Sequence, residues 1–385
     1  MRFRTIGWAA VLAVFFSGGA CGQAIASRVD GVLAPLAGAG TPGVAVLIRE
    51  RGSTVFEHGY GVGDLRTEAK IDARTDFRLA SCTKQFTAMA TMLLVRDGKL
   101  RYDETLVELF PDFPEYGRKI TILQLLTHTS GVPDYEDLMG VAEKNGAPAW
   151  SPLRQIQDAE VLALLERAKA GEFAPGTQWA YSNSGYVLLG LIVAKASGEP
   201  FGRFLHDRIF APLGMSGSLV YENGVNTVPR RAFGYSLEGG KFEETDQSAT
   251  SATQGDGGVY SNLSDLAKWE GALQRNTLMS AAQMRVALTP VRLSGGAQPR
   301  WPVEPGDDNL APGKPVSYGF GWFLDPYEGH ERMWHFGSTV GFRTAIERFP
   351  KDGLTVVVLC NRTDLDPGAL ALRSAQIVLN AHRGR

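Results

Sequence analysis

Cysteine, histidine, net charge and long apolar runs are all scarce in this chain, and each scarcity removes a class of function. The 385 residues hold 3 cysteines and 6 histidines. Too few cysteines are present for a disulfide framework, and none has the spacing of zinc ligands. The histidines, His58, His128, His206, His330, His335 and His382, are scattered without an H-E-x-x-H or H-x-H cluster. No metal and no other cofactor is therefore expected. Lys plus Arg number 39 against 41 for Asp plus Glu, a net charge of −2 without single-sign runs. That balance offers no footprint for nucleic acid and no polybasic membrane patch. No apolar run reaches the roughly 20 residues of a spanning helix, so no transmembrane anchor is expected. What is plentiful is glycine, whose 45 copies make about 12% of the chain against an average near 7%. With 44% hydrophobic residues, there is ample apolar surface for a packed core.

The N-terminus reads as a targeting segment. Arg2 and Arg4 precede the short apolar stretch Ile6 to Phe16, and small residues follow. This is the layout of a secretory signal peptide, with cleavage after Ala24 or Ala26 in Ala24-Ile25-Ala26. Lipidation at Cys21, after Gly19-Ala20, is the less favoured alternative because Gly18 stands where leucine is usual. The chain thus divides into a signal peptide, 1–26, and one domain, 27–385, exported to the periplasm or secreted.

Within that domain, hydrophobic periodicity predicts a helix from Ser27 to Leu36 and two strands, Gly43 to Glu50 and Ser53 to Tyr60. Thr83 to Val95 reads as an amphipathic helix stopped by Asp97-Gly98. Helical patterns then dominate to about residue 225, notably Ile122 to Leu126, Asp158 to Ala168 and Tyr186 to Ala196. Strands return at Tyr318 to Leu324, Arg332 to Phe336, Phe342 to Phe349 and Leu354 to Leu359, and Asp366 to Asn380 closes as a helix. The expected fold is α/β (α+β): an antiparallel sheet built from both chain ends, 27–80 and 260–385, with flanking helices and a mainly helical insertion, 81–259. Thr289 to Pro315, with six prolines and four glycines, is expected to be a functional cover or a flexible excursion.

Several motif matches fail on context. Gly38 to Gly43 spells G-x-G-x-x-G but leads into a strand, so it reads as a turn. Gly234 to Gly239 misses the nucleophile elbow because Glu238 stands in the last glycine's place. Gly171 to Thr177 has phosphate-loop spacing without its lysine.

Ser81-Cys82-Thr83-Lys84 survives. A spacing of three on a helix puts Ser81 and Lys84 on one face, about 5–6 Å apart at Cβ. A serine hydroxyl needs a neighbouring base to become a nucleophile, and a lysine of lowered pKa can serve. On its own the motif is weak, and a capping serine followed by a surface lysine is the favoured reading of it. Two further elements follow in order: Tyr181-Ser182-Asn183 before a helix, and His335-Phe336-Gly337-Ser338 on a strand.

With these three elements the chain resembles the serine β-lactamase and penicillin-binding protein superfamily, whose signatures are S-x-x-K, Y-x-N or S-x-N, and K-T-G or H-x-G. The stretches Leu125 to Gly131, Tyr181 to Tyr186 and Gly255 to Ser261 are similar to the branch of class C β-lactamases, D-alanyl-D-alanine carboxypeptidases, D-aminopeptidases and esterases. The resemblance runs from about Val44 to the C-terminus. It implies an acyl-enzyme on Ser81, with Lys84 and Tyr181 managing its proton. It implies that Asn183 binds the substrate amide and orients Lys84. The backbone N–H groups of Ser81 and Ser338 would form an oxyanion hole. His335, in the place of the commoner lysine, would contact a substrate carboxylate or join the proton relay, with Gly337 beside it. Cys82 is expected to be buried, and His128 to be a packing residue. Arg343 reads as part of a solvated strand face. Trp334 could line the pocket or face the core.

The implied substrate is a small or peptide-like amide or ester, with no nucleic-acid partner. Because H-x-G recurs in peptidases and esterases, a class C-like β-lactamase is the alternative. A penicillin- or peptidoglycan-binding module without turnover is the alternative of another class. The sequence is silent on oligomeric state.

Overall fold

The computed structural model describes residues 17–303 and 311–383, and the side chains of 23–303 and 311–381. The chain opens on helix α1 (Ser17–Leu33), then strands β1 (Val44–Glu50) and β2 (Ser53–Tyr60). A helical region follows, in which α2 (Lys84–Arg96) and α3 (Asn183–Ser197) are the two longest helices. Helices α4 (Leu263–Arg275) and α5 (Ala281–Ala287) come next. Strands β3 (Met333–Thr339), β4 (Phe342–Phe349) and β5 (Leu354–Cys360) lead to the closing helix α6 (Pro367–Arg383).

The main sheet is antiparallel, in the order β3-β4-β5-β1-β2, so both ends of the chain build it as expected. Val44 pairs with Cys360, Ala345 with Val358 and Ser338 with Arg343. Strand β5 is buried at every position, which explains its unbroken apolar run: both faces of the sheet are covered. Alternate residues divide between the two sides. Val44, Val46 and Ile48 pack with Ile25, Val29 and Leu33 of α1 and Val378 of α6. Ala45 and Leu47 join the larger core with Phe86 and Trp269, which lie 4.6 Å apart between ring centroids. Among the described residues, no helix is long and apolar enough to cross a membrane.

Three features depart from the sequence pattern. The strand expected at Tyr318 to Leu324 is a tight turn with isolated bridges from Phe323 to Tyr318 and to Trp334. Glycine is the cause: Gly321 has φ of +74°, and a Cβ there would lie 2.8 Å from the backbone of Lys84 and Gln85. The segment therefore folds against the first turn of α2 instead of extending. Second, α4 and α5 stand in the stretch read as sheet. Asn262 starts α4, its side chain accepting from the N–H of Asp265 at 2.9 Å. Third, the hairpin Tyr235–Glu238 with Lys241–Glu244 and the small sheet of Phe77–Arg78, Val259–Ser261 and Leu219–Val220 were not evident from periodicity. Gly38 to Gly43 does form a turn, with the Thr41 N–H donating to Gly38 O.

Candidate active site

The strand Phe77–Arg78 delivers the chain to a single 3₁₀ turn, Ala80–Thr83, which runs directly into α2. Ala80 has φ of +46°, a left-handed conformation that costs a residue with a Cβ roughly 1–2 kcal/mol. Such strain persists only where its surroundings enforce it. Here the Thr344 hydroxyl donates to Leu79 O at 2.9 Å, and the Leu79 N–H donates to Val259 O at 2.9 Å. The bend sets Ser81 at the head of the helix, half-buried while Ala80, Cys82 and Thr83 are buried. Helix α2 is embedded from Lys84 to Leu94, and its threonines are satisfied internally: Thr87 donates to Gly255 O and Thr91 to Thr87 O.

Lys84 is completely buried. Its ammonium donates to Ser81 Oγ at 3.0 Å, to Asn183 Oδ1 at 2.8 Å and to Asp256 O at 3.1 Å. It also lies 4.8 Å from the ring centre of Tyr181 and 5.5 Å from that of Tyr186. Rings and oxygens thus stabilise a cation that burial would otherwise disfavour. Asn183 is the first residue of α3 but not its cap. That task belongs to Ser182, whose Oγ accepts from the Gly185 N–H at 3.1 Å. The amide of Asn183 is therefore available to hold Lys84.

Strand β3 forms the opposite wall. Gly337 lies against the backbone before Ser81, where a Cβ would stand 2.2 Å from Leu79 O and 2.2 Å from Thr344 Oγ1. Ser338 follows it, exposed near the strand end. The Cys82 thiol donates to His335 O at 3.4 Å, and burial pushes its pKa up to about 12. It is a core residue, as expected.

His335 departs from expectation. Its side chain is 1% exposed, Nδ1 bonds Phe336 O at 2.7 Å and Nε2 bonds the Tyr318 hydroxyl at 3.1 Å. With Nδ1 donating to a carbonyl, Nε2 must accept from Tyr318. Burial and the Lys84 charge lower its pKa to about 3. A buried neutral imidazole with both nitrogens engaged has no charge to offer a substrate carboxylate. Arg343 also differs from the solvated strand residue read from the sequence. It is half-buried, and its Nη1 donates to Thr339 O at 2.6 Å and Phe342 O at 2.8 Å, tying the β3–β4 turn.

Periodicity could not find the aromatic wall beside Tyr181, because loops supply most of it. Trp301, from the Thr289 to Pro315 loop, stacks on Phe323 at 5.4 Å and meets Trp179 edge-on at 4.9 Å. Trp334, undecided from alternation, stacks on Phe323 at 4.6 Å, and Phe336 lies 6.2 Å from Tyr181 in the same orientation. Between Trp179, Ala180, Trp301 and Phe173 lies a cavity of about 540 Å³. The described part of that loop thus anchors on the wall through Trp301, while most of its other residues are exposed.

Chemically, the group of Ser81, Lys84, Tyr181 and Asn183 is a half-buried hydroxyl beside a buried amine. An amine so placed can take a proton from the serine once it is itself neutral. Residues 28–380 match the family described as Beta-lactamase. The chain is 31% identical over 349 residues to penicillin-binding protein 4* of Bacillus subtilis strain 168, covering 87% of this chain and 71% of that protein. It is 27% identical over 344 residues to a D-aminopeptidase of Gluconobacter oxydans strain 621H, covering 88% and 59%. Among solved structures, D-amino acid amidase from Ochrobactrum anthropi SV3, complexed with L-phenylalanine, superimposes with a TM-score of 0.73 at 25% identity, covering 95% and 99%. The ordered elements around Ser81, Tyr181 and Gly337, the two-ended sheet and a family match spanning nearly all of the described residues agree: this chain belongs to the beta-lactamase family.

Proposed function

We propose that the protein is an exported serine hydrolase that forms an acyl-enzyme on Ser81 and hydrolyses peptide-like amides or small esters. The observation that carries this reading is the buried Lys84 ammonium held between Ser81 Oγ and Asn183 Oδ1. In the proposed cycle Ser81 Oγ attacks the substrate carbonyl, and its proton passes to the Lys84–Tyr181 pair. That pair enters the step one proton short, either as a neutral Lys84 amine beside the phenol or as a Tyr181 phenolate beside the Lys84 ammonium. The backbone N–H groups of Ser81 and Ser338 receive the developing oxyanion. The pair then returns the proton to the leaving amine or alcohol. Water enters by the reverse sequence and releases the acid. Asn183 keeps Lys84 aimed and offers its amide to the substrate. His335 fixes the floor of the site through Tyr318 and takes no proton.

An amide substrate of D-amino-acid type is the favoured class. The D-aminopeptidase, similar in sequence over 88% of this chain, and the D-amino acid amidase, similar in fold over 95% of it, support it. The aromatic wall adds support for an apolar substrate group. Incubation with D-phenylalanine amide, L-phenylalanine amide and p-nitrophenyl butyrate tests this, with the D-amide expected to be cleaved fastest. A preference for the L-amide would contradict it. A second reading, a penicillin-binding protein with slow or absent deacylation, is favoured by the 31% identity to penicillin-binding protein 4*. It predicts a lasting penicillin adduct.

Export rests on the charged, apolar and small-residue layout of the first 26 residues. Residues 1–16 lie outside the described part. Helix α1 runs through the proposed cleavage points, and Val29 and Leu33 beyond them remain fully buried, so the shortened helix keeps its seat on the sheet. On this reading the hydrolase domain spans 27–385.

A further inference from the structure

His128 lies outside the three signatures and is completely buried, yet its neighbours are those of the proposed catalytic group. Its backbone has φ of +58°, and its ring centre is 4.5 Å from that of Tyr181. The two N–H groups that flank Tyr181 both end on this one residue. The Ala180 N–H donates to His128 O at 3.0 Å, and the Ser182 N–H donates to His128 Nδ1 at 3.0 Å. The first is an ordinary backbone bond. The second replaces a backbone acceptor with a side chain, and the left-handed turn at residue 128 is what swings the ring into that place. One residue farther along, the Gly176 N–H donates to Thr129 O at 2.8 Å, so the bracket continues along both segments.

Because Nδ1 accepts, the neutral ring carries its proton on Nε2. That nitrogen is buried and meets no oxygen or nitrogen acceptor among the described residues. The ring sits among Trp179, Tyr186 and Tyr318, at 5.7, 5.1 and 4.7 Å. Burial and the nearby Lys84 and His335 disfavour a charged ring, which keeps Nδ1 an acceptor.

Building on the assignment of Ser81, Lys84 and Tyr181 as the catalytic group, we propose that His128 is a positioning residue for that reaction. It fixes Tyr181 and the start of α3 by holding the backbone on both sides of the tyrosine. It touches neither substrate nor the reacting atoms. The requirement is specific: an acceptor at the γ-branch of the side chain, on a residue able to adopt positive φ. Asparagine meets both conditions, since its Oδ1 occupies the place of Nδ1 and it tolerates the left-handed region. Glutamine carries its oxygen one bond too far, and leucine fills the space without any acceptor.

The test compares His128→Asn, His128→Gln and His128→Leu in the full chain, with p-nitrophenyl butyrate and D-phenylalanine amide as substrates. Melting temperature and circular dichroism are read alongside kcat and KM. Ser81→Ala is the control for the underlying assignment. Displacement of Tyr181 by about 1 Å would cost roughly 100-fold. The expected result is a kcat loss of that order in the Gln and Leu variants at little-changed KM, with the Asn variant restored to within about 5-fold of wild type. If the Leu variant fails to fold, the Asn and Gln pair still decides. Gln or Leu variants as active as wild type, or an Asn variant as poor as Gln, overturn the role of His128 while Ser81→Ala remains dead. An active Ser81→Ala overturns the catalytic assignment and this proposal with it.

Discussion

Gly337→Ala is the substitution whose cost can be worked most directly from the structure. A Cβ at this position would lie 2.2 Å from Leu79 O, 2.2 Å from Thr344 Oγ1 and 3.2 Å from the Ala80 Cβ. Opening the first contact from 2.2 to even 3.0 Å requires a movement of at least about 0.8 Å. Thr344 cannot simply turn away, because its hydroxyl donates to Leu79 O at 2.9 Å. Nor can Leu79 withdraw freely, since the strained Ala80 and then Ser81 follow it immediately. The relief must come from β3 sliding away from the turn that carries Ser81. Overpacking of this kind costs about 1–3 kcal/mol of stability. In the proposed mechanism the same slide separates the Ser81 and Ser338 N–H groups. Donors about 1 Å beyond their 2.7–3.1 Å working range forfeit roughly 100-fold in rate. The assay pairs thermal denaturation with the rate of p-nitrophenyl butyrate hydrolysis. A variant that melts lower but keeps wild-type kcat/KM would refute the link between this close approach and catalysis. One that loses neither would refute the packing argument itself.

Replacing Lys84 by Met keeps all but the terminal atom's length of a fully buried side chain and removes its proton chemistry. Acylation, measured by stopped flow, should fall by about 10²–10⁴. Cys82→Ala should retain acylation within about 2-fold and lose about 1 kcal/mol of stability in urea titrations, because the thiol is a core group. Acid should destabilise the fold through His335. Its pKa is lowered from 6.5 to about 3, so the unfolded chain binds more protons between those values and stability falls as pH drops through that window. The slope approaches about 1.4 kcal/mol per pH unit for this group. Melting curves of His335→Gln, which keeps an acceptor for Tyr318, should be flatter from pH 6.5 downward.

Much of the sheet was legible because β1, β4 and β5 are buried along most of their length and so carry long apolar runs. Ile122–Leu126, Ser53–Tyr60 and Phe342–Phe349 appear with the same ends in sequence and structure. Elsewhere the ends moved by a few residues: α2 begins at Lys84 because the strained turn at Ala80 claims the preceding residues. Spacing alone paired Ser81 with Lys84, and the resemblance to the family added Tyr181 and Asn183; the structure brings the four side chains together. What could not be read was direction. Residue 335 falls in a strand by pattern, but only the Tyr318 hydroxyl, reaching in from a glycine-broken turn, shows that its imidazole faces the interior. His128 was correctly a packing residue by pattern. Its hold on both sides of Tyr181 depends on a left-handed φ and on contacts 52 to 54 residues away, and neither leaves a periodic trace. The aromatic wall has the same origin, since Trp301 is brought to Trp179 by tertiary folding alone.

The central claim is an acyl-enzyme on Ser81, and intact-mass spectrometry tests it most directly. The mature chain and its Ser81→Ala variant are mixed with benzylpenicillin, and separately with a fluorophosphonate, and the adducts are mapped by peptide digestion. The account predicts covalent labelling of wild type at Ser81 and none in the variant. Persistence or decay of the penicillin adduct separates a penicillin-binding protein from a β-lactamase. Labelling of wild type by the fluorophosphonate alone would direct the search to amides and esters. An adduct at any other residue, or equal labelling of Ser81→Ala, would contradict the account.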